Sequence, residues 1–292
     1  MTQRRSTATG AVTGPGPRTA SGRLRGFTLI EMVVTLMVSA IMAVGVISYI
    51  GDSISGFSAS GQRSRLAAAG RIAVDRIAME IYNAVPNSVR AQGQCVEFLP
   101  TAAATSYIDA PFYAGAESSA GADSFQAVHP TGGELAEAVY AVIFPINTES
   151  VYAAANPGPL GAIEAVDESL LAEGRVTIEL AQAHHFNRRS PLDRLYLAAQ
   201  PVSFCVDNGL LFRYQNYGIH QDQCGPDTPD CLPSQLPDRM LISGPLDNTG
   251  LTAFRVDSAT LRRNALVTIN LNFADQDDIV NMRHEVMSRN VP

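Results

Sequence analysis

Apolar positions run almost without interruption from Phe27 to Ile50, 24 residues in which Glu31 is the one ionisable group besides the weakly acidic Tyr49. At ~1.5 Å per residue this run predicts a helix of ~36 Å, enough to cross a hydrocarbon layer of ~30 Å. The pattern then changes. GDSISGFSASG (51–61) consists of poor helix formers and contains Gly51, Gly56 and Gly61. After it Leu66, Ala69, Ala73, Ile77, Ile81 and Ala84 recur at steps of three and four, one apolar stripe on a second helical stretch. Arg71 with Asp75, and Arg76 with Glu80, are spaced for weak pairing on its polar side. Pro86 ends the pattern. The simplest reading is one helix from Phe27 to about Val85, roughly 90 Å if unbroken. Its first half lies in a membrane and its second half packs on a globular domain, with the glycine-serine stretch as the place where it loosens.

From residue 87 to 292 the pattern is that of strands, in a length that fits one domain. CVEFL (95–99), AVYAVIF (138–144), RVTIEL (175–180), RLYLA (194–198) and VSFCV (202–206) are β-rich runs. LLFRY (210–214), TAFRV (252–256), LVTINLNF (266–273) and IVNMRHEVM (279–287) continue the series. Asp207-Asn208-Gly209 between two of them predicts a tight hairpin, because Asn-Gly tolerates positive φ. Ile269, Leu271 and Phe273 alternate with Thr268, Asn270 and Asn272, as a half-buried strand requires. Residues 101–137 and 145–174, rich in Ala, Gly, Ser and Pro, read as long insertions. The expected fold class is α+β, a long N-terminal helix on an antiparallel β-sheet domain. The expected divisions are a leader (1–26), a transmembrane helix (27–50), its continuation (51–86) and a β-rich domain (87–292).

Charge adds a direction. Residues 1–26 hold Arg4, Arg5, Arg18, Arg23 and Arg25 and no acid, and their Thr, Ser, Gly and Pro content predicts no fold of their own. The remainder carries 16 basic and 28 acidic residues, a formal charge of −12. By the positive-inside rule the amino terminus is cytoplasmic and the β-rich domain lies across the membrane. An acidic domain argues against nucleic acid as a partner.

A carboxylate inside an apolar span costs about 2.5–3.5 kcal/mol on insertion scales, so Glu31 calls for a purpose. Arg23, Arg25, Gly26 and Phe27 set basic residues and a glycine directly against the span. This resembles the prepilin signal of the type IV filament superfamily, type IV pilins and type II secretion pseudopilins. Thr28, Leu29 and Ile30 also match that family's usual residues. The resemblance implies cleavage by a prepilin peptidase between Gly26 and Phe27, N-methylation of Phe27, and an assembly role for Glu31, fifth in the mature chain. It implies other pilins and minor pilins, an inner-membrane assembly platform and membrane lipid as further partners. A secretory signal fits less well, since its apolar core is 7–15 residues and its cleavage site follows the core. An ordinary signal anchor has no need of Glu31.

RIAVDRIAMEIYNAVPNSVR followed by GQCVEFLP narrows the likeness. It resembles the MshO group, minor pilin-like proteins of the mannose-sensitive haemagglutinin pilus, at Arg76, Glu80, Asn83, Ala84, Pro86, Asn87, Ser88, Arg90 and Cys95. The closing HEVMSRNVP (284–292) resembles the end of such subunits and is shared with PilW- and GspJ-like ones. The function implied is a minor subunit that starts or caps a filament. A GspJ-like pseudopilin is the alternative within the class, and a membrane-anchored adhesin or ligand-binding domain the alternative outside it.

Four cysteines allow three pairings. Cys224 and Cys231 bracket GPDTPD, a turn-forming loop, which leaves Cys95 with Cys205 inside strand-like runs. Disulfides suit an exported domain better than zinc, because neither pair has close ligand spacing and His220 is the one nearby histidine. His184 and His185 are adjacent, so they point apart, and read as a solvated loop. Asp275, Asp277 and Asp278, and more weakly Asp227 and Asp230, are candidate calcium ligands, but the glycine and closing glutamate of a calcium loop are missing. No nucleophile elbow, zinc-protease or phosphate-loop motif is present. The expectation is a protein without catalysis, cofactor or metal.

Overall fold

A computed structural model describes residues 26–115, 121–257, 265–275 and 278–288. The chain divides into two compact units, Met1–Gly56 and Phe57–Pro292. Helix α1, Leu29–Tyr82, is assigned continuously across that division. The loosening expected at 51–61 is therefore not seen. A helical glycine costs about 1 kcal/mol, and a few such costs do not open a helix already nucleated on both sides.

In the first unit every residue from Gly26 to Ile50 is exposed. A continuous apolar surface of this kind is what lipid or a partner covers. By length and composition α1 contains one segment able to cross a membrane.

In the second unit α1 buries Leu66, Gly70, Ala73, Val74, Ile77 and Ile81. The face differs from the expected stripe at two points: Gly70 replaces Ala69 at the contact, and Val74 is buried beside Ala73. A Cβ on Gly70 would sit 2.8 Å from Phe273 and 3.0 Å from Met282, so the helix reaches its sheet through a glycine. The strands facing it are β1 (Arg90–Gln92), β2 (Cys95–Phe98), β9 (Val202–Asp207), β10 (Leu210–Tyr214) and β11 (Arg239–Ser243), an antiparallel sheet in that order. The helix also faces β12 (Phe254–Asp257), β13 (Leu266–Asp275) and β14 (Asp278–Met287), the three-stranded antiparallel sheet that carries Phe273 and Met282. Val96, Phe98, Phe204, Leu211, Phe254, Ile269, Leu271 and Phe273 join the helix face in one core. Asn208 and Gly209 both take positive φ between paired Asp207 and Leu210, the hairpin the sequence predicts.

The insertions are not loose. They carry β3 (Thr101–Ser106), β4 (Ala122–Val128), a short helix α2 (Thr148–Tyr152) and β6 (Leu160–Asp167). With β5 (Tyr140–Val142), β7 (Arg175–His184) and β8 (Arg194–Ala198) these strands form a six-stranded antiparallel sheet, β3-β8-β5-β6-β7-β4. The sheet closes: Tyr107 bridges Ala127, and Ile108 N–H donates to Gln126 O at 2.8 Å, joining the β3 end to β4. Ala103, Ala127 and Ala141 share the interior with Phe125, Ile178, Phe186, Leu195 and Leu197. A barrel of six strands is narrower than the eight-stranded kind that side chains just fill, and small residues are what its interior admits.

The barrel hangs from the first sheet by a ribbon. Cys95 faces Cys205 and Phe98 faces Val202; beyond Pro100 the pairing resumes with Thr101 facing Ala198 and ends with Ser106 facing Arg194. One register thus runs through β2–β3 and β8–β9, with a bulge between Thr101 and Ala103. Leu99, Val142, Tyr152, Leu160 and Tyr196 fill the joint between the two cores.

Candidate functional site

At the amino-terminal end of the described chain, Gly26, Phe27 and Thr28 precede the helix. Thr28 starts it: its Oγ1 accepts the Glu31 N–H at 3.3 Å, and its carbonyl accepts the Met32 N–H at 3.1 Å. Thr-x-x-Glu is the capping-box spacing, and an acid in the first turn also complements the helix dipole. Glu31 therefore has a local role that the sequence reading missed, although the Thr28–Glu31 spacing carried the signal. The Gly26–Phe27 bond lies outside the helix, and a Cβ on Gly26 would meet nothing within 4 Å. No steric demand within the described chain requires glycine there. Arg23, Arg25 and the rest of the leader lie outside the described residues.

The segment after α1 is pinned at several atoms. Ser88 Oγ donates to Val85 O at 2.7 Å and accepts the Leu99 N–H; Asn87, at positive φ, donates to Pro145 O at 2.8 Å. Glu80 takes Arg76 at 3.2 Å on its own helix and Arg213 of β10 at 3.0 Å, tying helix to sheet. The Arg71–Asp75 pair is exposed and 3.8 Å apart.

Arg90 is the centre of a buried network. Its Nε donates to Glu97 Oε2 at 2.7 Å, and its guanidinium lies 3.6 Å from the Tyr152 ring centroid. Its other nitrogens donate to the carbonyls of Gln221 at 2.6 Å and His220 at 2.8 Å. Tyr217 donates to Glu97 Oε1 at 3.3 Å and shares a hydrogen bond with Ser203. Burial pushes the fully buried Glu97 carboxyl above its ordinary 4.5, against the pull of Arg90's hydrogen bond and charge. Removing one partner of such a pair strands a buried charge, so the network fixes residues 217–222 in place.

That segment leads into the cysteine loop. The bridges are Cys95–Cys205, across β2 and β9, and Cys224–Cys231. His220, Cys224 and Cys231 bring their ligand atoms within 4.8 Å of one another, a convergence that the zinc reading did not credit. In the structure both sulfurs are bonded to each other, and His220 Nε2 is 2.9 Å from Tyr217 O. An open groove of about 1030 Å³ runs between this loop, the 92–94 turn and the Asp207-Asn208 turn. Asp222, Asp227 and Asp230 line it, with Asp207, which pairs with Arg239 at 3.0 Å.

One expectation changes. His184 is not in a solvated loop: it is buried at the end of β7, 3.2 Å from Gly158 O and edge-on to Phe186. Burial holds its pKa below the ordinary 6.5. Asp278 forms an ion pair with Arg63, while Asp277 lies outside the described residues.

Comparison with known proteins gives one match. Residues 23–47 fit the family described as the prokaryotic N-terminal methylation motif. No curated protein and no solved structure matches the chain. The motif together with the apolar helix supports a membrane-anchored, single-pass protein of the type IV pilin-like or pseudopilin class.

Proposed function

We propose that the chain is a minor subunit of a type IV pilus system, resembling the MshO group, that helps to start or cap a filament after prepilin peptidase has removed residues 1–26. The observation that carries the class is the methylation motif at 23–47; Gly26, Phe27 and Glu31 lie within it, and the prepilin resemblance reads them as the processing and assembly residues. The pinned segment from Asn83 to Arg90 supports the finer likeness. In this reading no catalysis is performed and the partners are other subunits, the peptidase, the assembly platform and lipid. The amino terminus faces the cytoplasm and the β-rich unit the periplasm.

Glu31 supplies the mechanism. Cleavage gives Phe27 a positive α-amino group at the start of the span, and the Glu31 carboxylate of a neighbouring subunit neutralises it. In a low dielectric an unpaired charge is expensive, so the pairing rewards one axial register between subunits.

The test is fractionation of sheared filaments from cells making the tagged protein or its Glu31→Ala variant. Glu31→Ala is expected to insert as well as wild type or better, because it removes a cost of about 2.5–3.5 kcal/mol. It is expected to be depleted from filaments. Equal incorporation refutes the assembly role. A secretion pseudopilin resembling GspJ remains the alternative within the class, and neighbouring genes for a secretion machine rather than a pilus would select it.

A further inference from the structure

Among the described residues, one group of three metal-ligating side chains converges. A ring nitrogen of His220 and the sulfurs of Cys224 and Cys231 lie within 4.8 Å of one another. The sulfurs are bonded to each other, and closing that loop needs no imidazole beside it.

The histidine is held as a ligand is held. Its Nε2 lies 2.9 Å from Tyr217 O. A carbonyl only accepts, so Nε2 carries the proton and Nδ1 the free lone pair. Metal-binding imidazoles characteristically donate their other N–H in this way. The backbone around it is fixed as well: Arg90 donates to His220 O and Gln221 O, and Gln223 Nε2 donates to Cys95 O at 3.2 Å. Asp207, Asp222, Asp227 and Asp230 line the adjoining groove, and no arginine or lysine is among its lining residues. Asp207 is taken by Arg239; the other three stand in no ion pair among the described residues. The field at the bridge therefore favours a cation.

We propose that His220, Cys224 and Cys231 form a redox-gated site for zinc(II), assembled when a dithiol opens the bridge, with water or a groove carboxylate in the fourth position. The exchange balances. A thiolate of the dithiol attacks the sulfur of Cys231, which is partly exposed where Cys224 is buried, and Cys224 leaves as a thiolate. The reagent's second thiol then displaces Cys231, so the reagent ends as a disulfide and two electrons and two protons pass to the cysteine pair. Zinc replaces the two thiol protons, which go to water, as two zinc–sulfur bonds form. Thiolates with an imidazole select zinc over the hard cations calcium and magnesium. Bonds of ~2.0–2.3 Å hold such donors about 3.3–3.8 Å apart, so the sulfurs must separate and the imidazole close in slightly. The GPDTPD loop is then closed by a covalent bond in one state and by a metal in the other.

The test uses the full mature chain in detergent micelles, treated without oxygen with a water-soluble phosphine and then titrated with cobalt(II). Alkylation and mass mapping should find Cys224 and Cys231 free and Cys95–Cys205 intact, because the latter pair is buried between paired strands. One cobalt per chain is expected, with thiolate-to-metal charge-transfer absorption, and zinc should displace it. Cys224→Ser/Cys231→Ser should abolish the band, and His220→Gln should weaken binding about tenfold or more. Asp227→Asn/Asp230→Asn should leave the band in place. The oxidised His220→Gln chain should melt as wild type does, which separates a lost ligand from a lost fold. In the wild type, amide exchange of residues 220–231 should quicken on reduction and slow again with zinc. A bridge that the phosphine leaves closed, a reduced chain without the band, or binding unmoved by His220→Gln overturns the proposal. Equal metal uptake by the oxidised chain also overturns it, in favour of a site made of carboxylates alone.

Discussion

On the proposed processing, Gly26 is demanded by something other than its own fold. Its surroundings leave room for a Cβ, and its φ is not in the left-handed region. Gly26→Ala is therefore expected to leave folding and insertion intact while blocking maturation. Mass spectrometry should find the wild-type amino terminus at Phe27, N-methylated, and the variant unprocessed; a wild-type start elsewhere removes the prepilin assignment. Glu31 stands out in the sequence for a different reason, because a lone carboxylate in an apolar run has few structural excuses. His184 was not legible: sequence shows two adjacent histidines, and burial is decided by the closing of β7 against Phe186. It yields a pH prediction. Its folded pKa lies below the ordinary 6.5, so the unfolded chain takes up the proton first as pH falls. Its stabilising contribution is complete above 6.5 and is lost as pH drops toward the depressed folded value. Melting temperature should fall with acidification through that window, and His184→Asn should flatten this part of the profile. An unchanged slope in the variant would show that another group carries it.

At the scale of elements, the runs with strong β-formers became strands: β2, β5, β7, β8, β9, β10, β12, β13 and β14 all fall within or over the predicted segments. β1, β3, β4, β6 and β11 were not visible. TAAATS and LGAIEAVD mix alanine with few aromatic or long branched residues, and most of their alanines stand outside the core, so neither shows the alternation of a half-buried strand. Helix α1 was readable in extent, yet its contact face was misjudged at Gly70 and at Val74. Periodicity ranks alanine above glycine on an apolar stripe, whereas here a Cβ would stand 2.8 Å from Phe273 and force that ring to shift. Gly70→Ala accordingly separates the two effects. Helix propensity favours the alanine by about 1 kcal/mol. Overpacking against a fully buried Phe273 costs about 1–3 kcal/mol. The net expectation is a destabilised β-rich unit, lower in melting temperature by a few degrees, at ~2–4 °C per kcal/mol for a unit of this size. Gly70→Ala with Phe273→Leu should recover part of the loss. A more stable single variant would mean that the helix shifts freely on its sheet.

Across the whole β-rich unit, the ribbon through β2–β3 and β8–β9 is the feature on which the architecture turns, since it is the one pairing shared by both sheets among the described strands. Everything from Tyr107 to Asp193 is a single excursion from it, so a barrel could be added to the helix-backed sheet without altering that sheet's strand order. Cys95–Cys205 locks the base of this excursion, with a sequence separation of 110. Its two cysteines are buried with Tyr214 between the sheet and the 215–238 segment. Cys224–Cys231 spans a separation of 7 and shapes the loop beside the groove. On the chain-entropy account the large loop is worth ~4.8 kcal/mol and the small one ~2.5 kcal/mol, both upper figures. The two cysteine pairs are thus unequal in a measurable way. Cys95→Ala/Cys205→Ala should lower the melting temperature of the mature chain by about 4–8 °C more than Cys224→Ala/Cys231→Ala, the difference of ~2 kcal/mol at this size. The short-bridge variant should instead loosen residues 220–231 locally, read as faster amide exchange there while the strands of the ribbon stay protected. Non-reducing peptide mapping tests the premise first: a peptide joining Cys95 to Cys224 or Cys231, or free thiols at all four positions, removes it. Equal thermal losses with the mapped pairs intact would instead show that the already paired β2 and β9 hold the base of the excursion without the covalent lock.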